Sequence, residues 1–152
     1  MVVRDMKSLT LAALLEGLAV YVDDLQHWQI VDPAHPHYGG LIYPDYGIAD
    51  AIYSAHFVVG CAYLALGTGD ESRLERATQA ADFMLRAQRP SGNIDLLSVN
   101  YDSAPDTGFV VQYVCAVLEL ARDRGVDSPA WCALLERLEQ FVRRAVAGML
   151  TG

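Results

Sequence analysis

Two stretches hold most of the side chains able to bind or transform a ligand. Pro90 to Val110 reads PSGNIDLLSVNYDSAPDTGFV and carries Asn93, Asp95, Asn100, Tyr101, Asp102 and Asp106. Upstream, Asp32, His35, His37, Tyr38, Tyr43, Asp45 and Tyr46 crowd into one connector that leads to Asp50. Tyrosine, carboxylate and amide together suit a sugar: aromatic rings cover the apolar face of a pyranose, while Asp and Asn bind its hydroxyls. Tyr43, Asp45, Asp50, Asn100, Tyr101, Asp102 and Asp106 are therefore the candidate substrate-binding residues. No catalytic residue is assigned.

A plainer chemistry competes for the same residues. PSGN is ordinary turn sequence, and Asp102, Ser103 and Asp106 can do no more than start a helix. His35 and His37 flank Pro36 as a solvated pair. With Asp32 they are a weak zinc pattern, because no further His or Cys has motif spacing. His56, among Tyr53, Gly60 and Tyr63 at helical spacing, reads as a core histidine, and Tyr21, Tyr53, Tyr63 and Tyr113 read as core tyrosines. Cys61, Cys115 and Cys132 lie in apolar surroundings without C-x-x-C spacing and read as buried free thiols. No phosphate-binding, dinucleotide, nucleophile-elbow or zincin motif occurs, so no cofactor and no metal is expected.

Five helical patterns position these residues. They run from about Leu9 to Trp28 with Ser8 as N-cap, Ile48 to Leu66, Glu71 to Gln88 with Asp70 as N-cap, Pro105 to Arg124, and Pro129 to Met149. No segment reads as a long strand. Ser103 and Asp106 form a capping-box pattern, with Pro105 in the first turn and Gly125 after the last. The links alternate long, short, long, short, and Gly67 and Gly125 mark equivalent breaks, which makes a repeat of architecture. Short links make antiparallel neighbours. Both long connectors then fall at one end, with the second and fourth helices inner and the third and fifth outer. The 152 residues suffice for a single helical domain.

Composition narrows the partners. Eleven basic and nineteen acidic residues give a net charge of −8, with Lys7 the one lysine. Such a chain is a poor electrostatic partner for nucleic acid or an anionic membrane. Ile48 to Leu66 is the longest apolar run, and Asp50, Ser54 and His56 interrupt it. The start MVVRDMKSLT lacks a signal-peptide pattern, so the expected compartment is the cytoplasm. Hydrophobic residues make up 53% and mean hydropathy is +0.18, which implies apolar surface awaiting a cover.

The segment QRPSGNIDLLSVNYDSAPDTGFVVQYVCAVLEL, with GNIDL and NYDSAPDTGFVV as its core, resembles the N-terminal helical region of heparinase II/III-like bacterial polysaccharide lyases. The resemblance spans roughly Tyr38 to Leu120. It implies an all-α fold of antiparallel helix hairpins forming a partial (α/α) toroid, an acidic saccharide as ligand, and β-elimination with a Tyr or His base. Five helices fall short of a closed toroid, so the chain is expected to be the opening segment of a larger enzyme, inactive alone, or a homo-oligomer. The alternatives are a non-catalytic protein-interaction module and a glycoside hydrolase with Asp50 and Asp106 as paired carboxylates.

Overall fold

The computed structural model describes residues 10–97 and 99–151. Five helices carry most of the chain: α1 (Leu11–Gln26), α2 (Ala51–Thr68), α3 (Leu74–Ala87), α4 (Ala104–Arg124) and α5 (Pro129–Thr151). Four short strands also form, where the sequence predicts none. β1 (Leu41–Tyr43) pairs antiparallel with β2 (Ile48–Asp50), and β3 (Ile94–Leu96) with β4 (Asn100–Ser103). Three or four residues are too few for a period-two pattern to register. In the first hairpin, Gly47 (φ 66°) closes the turn by donating its N–H to the Tyr43 carbonyl at 2.9 Å. In the second, a bulge opposite Asp95 puts Asp102 at φ 54°.

The hairpins correct the helix starts. Ile48 belongs to β2, and Asp50 caps α2 by accepting the Tyr53 N–H at 2.7 Å. Asp70 does not cap α3. It accepts the Ser72 N–H at 3.0 Å in the preceding turn, and α3 begins after Arg73 with no side-chain cap. Gly69 (φ 77°), not Gly67, ends α2 and matches Gly125 (φ 62°) after α4. Gly67 instead admits Leu15 of α1, whose side chain lies 2.7 Å from where a Cβ would stand. Thr10 caps α1 through the Ala13 N–H at 3.2 Å; the expected Ser8 cap lies outside the described residues.

Packing gives two layers. The α2–α3 hairpin lies beside the α4–α5 hairpin, α2 against α4 and α3 against α5. α1 covers the opposite flank of α2, with Val22 and Leu18 over Gly60. Phe57, Val58, Cys61, Met84, Val110, Val114, Trp131, Leu134, Leu138 and Phe141 fill the common core. α2 has the length and hydropathy of a membrane span, but 61% of that segment is buried against its neighbours, so core packing accounts for its apolarity.

The two halves repeat in detail. Leu41 donates its N–H to Ser54 Oγ, which donates to the Asp50 carbonyl, at 2.9 and 2.7 Å. Ile94, Thr107 Oγ1 and the Ser103 carbonyl repeat this at 2.9 and 2.6 Å. Gln29 Nε2 donates to the carbonyls of Gly39 and Arg76 at 3.0 and 2.9 Å. Gln88 Nε2 donates to those of Gly92 and Phe141 at 2.8 and 3.1 Å. Gly39 (φ 86°) and Gly92 (φ 97°) each press on an outer helix: an added Cβ would meet the Gln79 carbonyl at 2.1 Å and the Arg144 carbonyl at 1.9 Å. Each unit is thus a glutamine latch, a glycine contact, a hairpin, a capped inner helix and an outer helix.

Candidate functional site

Because each hairpin runs directly into an inner helix, both connectors lie at one end of the molecule, as the alternating links predict. Two cavities open there. The first, of about 280 Å³, is walled by Tyr43, Tyr46, Asp50, Ile52, Tyr53 and His56 of the first unit and closed by Leu96 and Leu97 of the second. Tyr43 is fixed by its place on β1. It stacks on Tyr46 with centroids 5.1 Å apart and planes 25° off parallel, and meets the edge of Tyr53 at 5.2 Å.

Asp50 and His56 give this cavity its electrostatics. Asp50 is buried (7% exposed) and serves as the α2 N-cap. Burial pushes its carboxyl above the usual range, against the lowering effect of the Tyr53 and Ile52 N–H groups and of His56. Burial likewise pushes the His56 imidazole below its ordinary value, and the Asp50 charge opposes that shift. The two groups are therefore moved toward each other in titration, both by burial. His56 is half-buried and meets Tyr113 of α4 edge-on at 5.9 Å, so it lines the cleft where the sequence places it in the core.

The cleft continues past His56. Leu18 and Tyr21 of α1 and Tyr113 of α4 form its sides, over Val59, Gly60 and Tyr63 of α2. Tyr21 and Tyr113 are 45% and 39% exposed, and Tyr53 and Tyr63 are half-buried. Tyr21 and Tyr113 thus line the surface, while Tyr53 and Tyr63 pack against the core and border the cleft. Helical spacing identifies a shared face but does not say whether anything covers it.

The second cavity, of about 310 Å³, lies between the connectors, with Pro36, His37, Ala51, Phe83, Arg86 and Asp95 in its wall. The Phe83 ring is pressed against Gly40, where an added Cβ would stand 2.8 Å from it, and the His37 ring stands at 90° to it with centroids 5.9 Å apart. Leu97 lines both cavities and separates them.

The remaining candidates serve the backbone. Asn100 Nδ2 donates to Ser103 Oγ at 2.8 Å, and Ser103 Oγ donates to the Asp106 carboxylate while accepting the Asp106 N–H at 3.3 Å, so Asn100 and Asp106 both support the α4 cap. Asp102 accepts from Ser91 Oγ and donates its N–H to Asp95 Oδ1 at 2.8 Å, stitching the second hairpin. Asp45 is exposed in the first hairpin turn, and Tyr101 is 67% exposed on β4. Tyr43 and Asp50 share a cavity; Asp50 and Asp106 each belong to the cap of a different helix. Asp32, His35 and His37 make local turn bonds: Asp32 accepts the Ala34 N–H at 2.9 Å and His35 Nδ1 the His37 N–H at 3.0 Å. Among the described residues no three His, Cys, Asp or Glu converge on one point. Of the three cysteines, all free, Cys61 is buried with its thiol pushed up to about 12, Cys115 is half-buried and Cys132 is exposed.

The sequence reading missed Gln29, Gln88, Ser54 and Thr107. A glutamine just after one helix, and a hydroxyl at the fourth position of the next at matched distance from a glycine, are the signals that locate them. No family model matches the chain, and neither a curated protein nor a solved structure does.

Proposed function

We propose that the chain forms the wall of a saccharide-binding groove and is a helical segment of a carbohydrate-active, lyase-like enzyme whose inner helices belong to an (α/α) toroid. The observation that carries this reading is the Tyr43–Tyr46–Tyr53 cluster set against Asp50 and His56 in one cavity. Stacked phenol rings offer a sugar ring an apolar face, and the carboxyl and imidazole offer hydroxyl-binding and proton-moving groups beside it. The tyrosine-lined cleft along α2 gives room for further sugar units. Isothermal calorimetry with uronate oligosaccharides tests it: binding is expected, and Tyr43→Ala should weaken it about tenfold or more while a thermal melt still shows a folded protein. Unchanged affinity in Tyr43→Ala overturns the reading.

A second reading, assembly with a like surface, has its own support in the repeat. Positions buried in α2 (Ala55, Val58, Ala62, Ala65) correspond, by the offset that links Ser54 to Thr107, to Gly108, Val111, Cys115 and Leu118 of α4, which are half-open. Val146 of α5, 42% exposed, continues that apolar edge. A second copy placed there would extend the same side-by-side packing. Light scattering should then show a dimer, and Val146→Glu should convert it to monomer.

A further inference from the structure

We infer that the cavity between the two connectors is a carboxylate-binding subsite in which Arg86 supplies the counter-charge. The inference deepens the saccharide reading and rests on it only for the identity of the molecule that carries the carboxylate.

Charge bookkeeping inside the cavity leads to this conclusion. Two full charges face it, Arg86 and Asp95. Asp95 is already neutralised: Arg89 donates to both of its oxygens from Nε, at 2.9 and 3.0 Å, and again from Nη2. That guanidinium holds the Asp95 carboxyl below the usual carboxylate range. Arg86 has no such partner. Among the described residues the ion pairs engage Arg73, Arg89, Arg137 and Arg143, and Arg86 is in none of them. Its Nη2 donates to the Tyr38 carbonyl, which anchors the guanidinium at the cavity and leaves its other N–H groups for a ligand. The uncompensated charge in the cavity is therefore positive, on a protein whose net charge is −8.

One further feature points the same way. The His37 ring, set at 90° to Phe83, adds a ring N–H donor at the cavity wall. An arginine fork and an imidazole N–H match a planar carboxylate. Leu97 separates this cavity from the tyrosine cavity, so a chain of sugars reaching across it would place its acid group here and an adjoining ring on Tyr43 and Tyr46.

The test compares a uronate oligosaccharide with the same oligosaccharide after its carboxyls are reduced to alcohols, by calorimetry on the full chain. The acidic form should bind about tenfold more tightly. Arg86→Gln should abolish that preference and leave affinity for the reduced form unchanged, and Arg86→Lys should keep part of it. Arg143→Gln, which makes the same change in net charge on α5, should leave the preference intact and so exclude a long-range field effect. Independently, acetate and citrate titrated into labelled protein should shift the Arg86 Nε–H resonance. If that shift occurs and neither oligosaccharide binds, the subsite stands and the saccharide reading falls. If both oligosaccharides bind equally, or Arg86→Gln keeps the preference, the subsite is overturned and the saccharide reading survives. If no carboxylate moves the Arg86 resonance, the subsite is likewise overturned.

Discussion

Asp50 and His56 make opposite demands on pH. An unfolded imidazole protonates near pH 6.5, while burial holds folded His56 neutral to lower pH. Between those values the unfolded chain binds more protons, so the His56 contribution makes stability fall as pH drops from about 6.5. Asp50 acts in reverse: its folded carboxyl keeps a proton above the ordinary 3.8, so stability declines as pH rises through that region. The pair is coupled, and Asp50→Asn tests the coupling. Asparagine caps a helix about as well as aspartate, so the fold should persist while His56, deprived of its one raising charge, titrates lower still. Imidazole resonances followed by NMR would show this, and an unchanged His56 midpoint would mean the two do not interact. Tyr101 gives a contrasting case. Being 67% exposed, it should tolerate Tyr101→Ala with the melting temperature nearly unchanged, where a core aromatic would cost about 3–5 kcal/mol. Side-chain chemistry marked the two connectors as the polar end of the protein, yet it did not separate ligand-facing groups from self-satisfied ones. Asn100, Asp102 and Asp106 carry the same atoms as a binding site, and only the register of β3 and β4 turns those atoms inward on their own backbone.

Helix existence was legible where a helix carries a one-sided stripe: α3 buries Leu74, Ala77, Ala81 and Met84, and α5 buries Trp131, Leu134, Leu138, Phe141 and Ala145, at helical spacing. Of the caps, Ser103 was legible; Asp50 lay inside an expected helix, and Asp70 serves the turn before α3. The hairpins were not legible, since their strands are short and their stability comes from tertiary contacts: the hydroxyls of Ser54 and Thr107 and the glycine contacts on outer helices. Two glycine substitutions weigh those contacts. Gly92→Ala combines a left-handed backbone with a collision against the Arg144 carbonyl and should cost about 2–5 kcal/mol in chemical denaturation. Gly47→Ala, also left-handed but with open space around it, should cost about 1–2 kcal/mol. Equal losses would show that the close approach contributes nothing and backbone strain everything.

The molecule is two copies of one plan whose ends are held differently. At the hairpin end one offset relates Gly39 to Gly92, Leu41 to Ile94, Asp50 to Ser103 and Ser54 to Thr107, with the hydroxyl bridge from strand to helix reproduced. The outer helices obey a longer offset, which relates Arg76 to Phe141 and Gln79 to Arg144. The extra residues lie at the far end, where α4 has 21 residues against 18 in α2, and α5 has 23 against 14 in α3. One end of the plan has therefore kept its register while the other has changed length without disturbing it. The Gly125–Ser128 turn is thus the place to add sequence. A peptide tag or a small domain inserted there should leave folding and the opposite-end cavities intact, whereas the same insertion between Gly92 and Ser103 would sever the latch that sets both.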